Sequence, residues 1–112
     1  MNKFEFIGNL TKDIEVTKAG EVPLAEFTLA VNRPYKNKEG VRETDFFQLK
    51  AWRETAERLA SWTKKGDKLF VEGEVRASSY EKDGKKNYIT EFMIREFELL
   101  SSKKDETVGE AK

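Results

Sequence analysis

Two segments, Pro23–Arg33 and Thr44–Trp52, alternate apolar and polar side chains with a period of two, and a polar stretch, PYKNKEGVRE, separates them. Successive side chains in a strand point to opposite sides, so this alternation is the pattern of a strand with one face buried. The pair predicts a long hairpin and commits the chain to a sheet. Its inner face carries Ala25, Phe27, Leu29 and Val31 from one strand and Phe47, Leu49 and Ala51 from the other. The reverse of the second strand interleaves Phe46 and Trp52 with Gln48 and Lys50. That face is a poor core and a good platform for a flat, negatively charged ligand; bases are flat and phosphates are negative. On pattern alone, packing of the two aromatics under a loop or against a second subunit fits as well.

The rest of the chain reads as more strand and one helix. Asn2–Thr11 places Phe4, Phe6, Gly8 and Leu10 on one side, with Ile7 breaking the alternation and a bend expected near Gly8. Ile14–Lys18 continues this strand after a kink at Lys12-Asp13, and Ala19-Gly20-Glu21 is a turn. A helix is predicted over Thr55–Lys65, with Thr55 as its cap, a stripe of Ala56, Leu59, Ala60 and Thr63, and Gly66 as a left-handed terminator. Trp62 falls off the stripe and is expected to cover the barrel edge. Asp67–Ala77 is a further strand, in which Gly73 signals a bulge or a barrel bend. Asp83-Gly84 marks a second hairpin, and Tyr88–Leu100 is the last strand. Five strands with one helix between the third and fourth is the plan of an all-β OB-fold, a five-stranded Greek-key barrel. It spans residues 1–100 as one domain; residues 101–112 are polar, without periodicity, and expected to be a disordered tail.

Composition removes most chemistry. With no cysteine and no histidine, there is no disulfide, thiolate or zinc–thiolate site, and the commonest general base is missing. The glycines are scattered singly, so no phosphate-cradling loop is present. Asp13 and Glu15, two apart on a strand, lack further ligands, so no metal or other cofactor is expected, and no catalysis. No apolar run approaches the roughly 18 residues of a membrane span, and the chain is expected in the cytosol. Net charge is zero, but residues 33–53 carry +3 and residues 76–87 carry +2. Both positive regions contain an aromatic hairpin, a distribution that suits nucleic-acid binding and equally fits hairpin tips made Lys-rich for solubility.

Four collinear segments, MNKFEFIGNLTKDIEV, PLAEFTLAVNRPYKNKEG, ETDFFQLKAWRETAERLASWTKKGDKLFVEGEVR and SYEKDGKKNYITE, resemble the bacterial single-stranded-DNA-binding protein family. The resemblance implies an OB-fold homo-oligomer, usually a tetramer with a dimer as the alternative, that holds single-stranded DNA with little sequence preference during replication, recombination and repair. It implies base stacking on Tyr35, Phe46, Trp52 and Tyr80. Arg33, Lys38, Lys50, Arg53, Arg76, Lys82 and Lys86 are the candidate phosphate contacts. Family members end in an acidic tip that recruits replication and repair proteins; this sequence ends in DETVGEAK, so recruitment by that route is not expected. The rival reading is a primosome-type or protein-interaction OB-fold module with weak nucleic-acid binding.

Overall fold

The alternating segments pair as the predicted long hairpin, from Leu24 opposite Trp52 to Lys36 opposite Arg42. The computed structural model describes residues 1–101; the expected polar tail from residue 102 onward lies outside the described residues. In chain order the elements are β1 (Phe4–Leu10), β2 (Val16–Ala19), β3 (Val22–Lys36), β4 (Arg42–Trp52), α1 (Arg53–Trp62), β5 (Lys68–Lys82) and β6 (Lys85–Ser101). Six strands replace the expected five because the first is broken: β1 and β2 are its two halves, each paired with β3. With that break counted, the helix lies between the third and fourth strands of an OB-fold.

Hydrogen-bonded neighbours run β1-β5-β6-β4-β3-β2, and the β1–β3 pairing closes the sheet into a barrel. All pairs are antiparallel except β4–β6, which is parallel and limited to Leu49–Phe92 and Lys50–Met93. Closure depends on two glycines. A Cβ on Gly8 would collide with the Ala30 carbonyl where β1 crosses to β3, and one on Gly73 would collide with the Met93 carbonyl at the β5–β6 register shift. Both positions were expected to bend; the reason is backbone approach closer than any side chain allows.

The inner faces fill the barrel. Ala25, Leu29, Leu69, Val71 and Ala51 are inaccessible to solvent, and Leu49 nearly so. Phe4, Phe6, Phe47 and Phe92 form an aromatic cluster at one end, with the Phe6 and Phe47 rings stacked at 4.3 Å. The helix covers another part of the core with the predicted stripe: Ala56 and Leu59 are fully buried, and Thr63 is buried with its hydroxyl donating to the Leu59 carbonyl at 2.5 Å.

Two expectations change. The helix runs from Arg53 to Trp62, and its N-cap is Trp52, without a side-chain cap; Thr55 lies inside the first turn. Gly66 is left-handed (φ 91°) as expected, but it serves the following turn, in which Asp67 N–H donates to the Lys64 carbonyl. Phe70 stands half-buried on the outer face, opposite Ile7.

Candidate nucleic-acid interface

The outer face of β4 follows the period-two reading. Phe46 is 65% exposed, Gln48 is exposed, and Lys50 and Trp52 are half-buried. Phe46 and Trp52 lie six residues apart, about 20 Å along an extended strand. The β3 ladder sets Ala30, Thr28, Glu26 and Leu24 opposite Phe46, Gln48, Lys50 and Trp52.

Register carries this face onto the second hairpin. Lys50 lies beside Met93, which directs Glu91 and Ile89 to the same side. Across β5–β6, Arg76 opposes Glu91, Ser78 opposes Ile89 and Tyr80 opposes Asn87. Phe46, Trp52 and Tyr80 therefore share one outer surface with Lys50, Arg76 and Lys82, although they come from distant parts of the sequence. Lys86 opposes Glu81, on the other face of the hairpin. The arm is a two-stranded ribbon whose residues 76–86 are all exposed, and it ends in Asp83-Gly84 with both φ values positive (55° and 75°), the signature of the tight hairpin turn.

The first hairpin ends in a turn organised by Asn37, whose side-chain oxygen accepts from the N–H groups of Glu39 and Val41 at 2.9 and 3.0 Å. Lys38 is on this tip. Between Asn32 and Lys36 the ladder with β4 is irregular, and Tyr35, 63% exposed, projects from that irregularity. Pro34 lacks an N–H for a ladder bond, which is the local reason for the bulge.

The candidate cations divide by partner. Arg33 donates to both carboxylate oxygens of Asp45 (Nε–Oδ2 3.1 Å, Nη2–Oδ1 2.9 Å) and reaches Glu43 at 3.3 Å. These bonds lift the Arg33 pKa still further and hold Asp45 below the usual carboxylate range. Arg76 pairs with Glu74 at 3.0 Å. Lys50 lies between two acids, 2.6 Å from Glu91 and 3.8 Å from Glu26, and the hydrogen bond to Glu91 raises its pKa above the ordinary lysine value. Lys38, Arg53, Lys82 and Lys86 have no ion-pair partner among the described residues. Arg53 leaves β4 in the left-handed region (φ 56°), beside Trp52, and both line a shallow depression with Pro23 and Thr55.

Past Phe92 toward the chain start of β6, the β4–β6 ladder has stopped and the strands part. A cleft of about 450 Å³ opens there, with Gln48, Lys50 and Thr28 on one side and Ile89 and Glu91 on the other. Among the described residues no cluster of three metal-ligating side chains exists, and no helix is long and apolar enough to cross a membrane.

A profile of the single-strand binding protein family matches residues 1–100. The chain belongs to that family. "Single-stranded DNA-binding protein 3" of Listeria innocua is 46% identical over 97% of this chain and 69% of its own length. "Single-stranded DNA-binding protein 1" of Streptococcus pyogenes is 40% identical, over 97% of this chain and 85% of its own. The Streptococcus pneumoniae "Single-stranded DNA-binding protein" is 39% identical over 92% of this chain and 67% of its own.

Several features of this family member escaped the sequence. Tyr88, 77% exposed, lies on the hairpin face opposite Tyr80. Trp62, expected to cover the barrel edge, is 58% exposed, with the Arg58 guanidinium 5.8 Å from its ring centre and 5.7 Å from that of Phe97. The acids around Lys50 were also missed. Glu26 could have been found by counting back from the turn, had the irregularity at Asn32–Lys36 not shifted the register. Glu91 comes from a parallel strand and leaves no local signal.

Proposed function

We propose that this chain binds single-stranded DNA with little sequence preference, stacking bases on Phe46, Trp52, Tyr80 and Tyr35 and lining the backbone with Lys38, Arg53, Lys82 and Lys86 together with the ion-paired Arg33 and Arg76. One observation carries the reading: Phe46 and Trp52 of β4 and Tyr80 of β5 share a single outer surface with cations between them. A stacked base contributes roughly 1–3 kcal/mol whatever its identity, because every base has a π-face. Family membership supports the ligand, and the relatives' names state single-stranded DNA. The role is one of binding, protecting strands exposed in replication, recombination and repair.

We further infer a homo-oligomer, a tetramer over a dimer. Among the described residues, Phe4–Gly8 of β1 has a ladder partner only on its β5 side, and Ile7, 49% exposed, lies against half-buried Phe70 on the adjoining outer face. An open edge beside exposed apolar side chains is a surface that pairing covers.

The test is fluorescence titration of Trp62→Phe, which leaves Trp52 as the one tryptophan. Oligo-dT should quench its emission, duplex DNA should not, and added salt should weaken the effect. A flat titration overturns the reading. It would favour the rival protein-interaction module, which the neutralisation of Arg33, Lys50 and Arg76 by acids already favours over a fully cationic platform.

A further inference from the structure

The cleft between β4 and β6 is unlike the rest of the platform. Two carboxylates, Glu26 and Glu91, flank one ammonium, Lys50, and the ion pair with Glu91 is short, with the lysine side chain only 22% exposed. A phosphate entering there would meet net negative charge and would have to separate a partly buried ion pair, which is costly. A base edge meets a different problem, because it presents donors and acceptors without net charge. The volume, about 450 Å³, is within the range of sites for small organic molecules. Ile89, 40% exposed, supplies an apolar wall for a ring face. The cleft also lies between Phe46 and Trp52 along β4, so a base entering it continues the stack.

We propose that this cleft reads the edge of one base and favours guanine, with Glu26 and Glu91 accepting from its N1–H and 2-amino groups while Lys50 donates to O6. The proposal rests on the single-stranded DNA reading above and deepens it. Acceptors outnumber donor-bearing side chains in the Lys50 triad, so the best edge is the one richest in donors. Guanine offers two donor groups and one acceptor there. Cytosine and adenine offer one amino group beside ring acceptors, and thymine sets two carbonyls around a single N–H, so its oxygens would face the carboxylates. Carboxylate-to-amine and lysine-to-guanine contacts are established means of discrimination on base edges. The stacking sites tolerate any base, so the preference is a modest bias on general binding.

The test compares alternating thymine–guanine oligomers with alternating thymine–hypoxanthine oligomers of about a dozen nucleotides, a length one OB-fold can span. Hypoxanthine differs from guanine only by loss of the 2-amino group, so ring stacking is nearly matched. The unmodified protein should bind the guanine oligomer about three- to tenfold more tightly. In Glu91→Gln the ratio should fall toward one, while affinity for oligo-dT rises as a negative charge leaves and Lys50 is released. Glu26→Gln, at a side chain 65% exposed, gives the same reading should the first variant fold poorly. Equal affinities in the unmodified protein, or a ratio kept in both variants, overturn the base-edge site alone. Failure to bind any oligomer overturns the single-strand reading and the cleft with it.

Discussion

At Trp52 the chain does two things at once. Its side chain is half-buried on the outer face, and its extended backbone is the N-cap of α1. Trp52→Ala should weaken binding to oligo-dT, oligo-dC and oligo-dA by similar factors, equivalent to roughly 1–3 kcal/mol each; loss confined to one homopolymer would contradict stacking. Arg53, next along, occupies the left-handed region, where a residue with a Cβ is strained by on the order of 1 kcal/mol. Arg53→Gly relieves that strain and adds the entropy cost of glycine, so the melting temperature should not fall. The same change should flatten the log–log salt dependence of oligo-dT affinity by about 0.7, one phosphate contact on a single strand. An unchanged slope would remove Arg53 from the phosphate path. Asp45 provides a pH test. Arg33 lowers its pKa in the folded chain, so the pair stabilises the fold above the unfolded-state pKa, about 3.9, and that contribution is lost as pH falls through the lower folded value. Thermal melting of Asp45→Asn should therefore lose part of the decline seen in the unmodified protein below about pH 4; identical acid profiles would show that the ion pair contributes nothing.

The elements were legible in proportion to how local their signals are. The alternations of β3 and β4 gave the correct inner and outer faces, and Asp83-Gly84 gave the second hairpin, because period and turn chemistry are fixed within a few residues. The stripe of α1 held while its boundaries moved, since the helix starts directly from Trp52, with no capping side chain to mark the place. Gly8 and Gly73 were readable as bends but not as contacts. Gly8→Ala and Gly73→Ala each drive a methyl into a backbone carbonyl of a neighbouring strand, which no rotamer change relieves. Each should lose about 1–3 kcal/mol or more in denaturant titration, as overpacked sites do. A neutral Gly73→Ala would mean that the β5–β6 bulge can open without cost.

At the scale of the whole molecule, the barrel turns two hairpins into one surface. Phe46 and Tyr80 are brought to a common face only by the short parallel pairing of β4 with β6, because that pairing sets the outward direction of Glu91 and Ile89. The free side of β1 and the Ile7–Phe70 patch are likewise products of closure. Phe70→Glu should lower the mass measured by light scattering, since a carboxylate inside an apolar contact is left unpaired. Unchanged mass would place the subunit contact elsewhere.

The sequence by itself determined the class of fold, the two faces of its main strands, the absence of cysteine and histidine chemistry, and the outward direction of Phe46 and Trp52. Those depend on side-chain period and residue type, which neighbours along the chain define. Only the tertiary structure decided which cations stay unpaired and which acids hold Arg33 and Lys50. It alone exposed Trp62 and Tyr88 and opened the cleft beside Lys50. A strand's alternation states that a side chain points outward, but the charge it meets there comes from another strand, and the register across the closed barrel selects that partner.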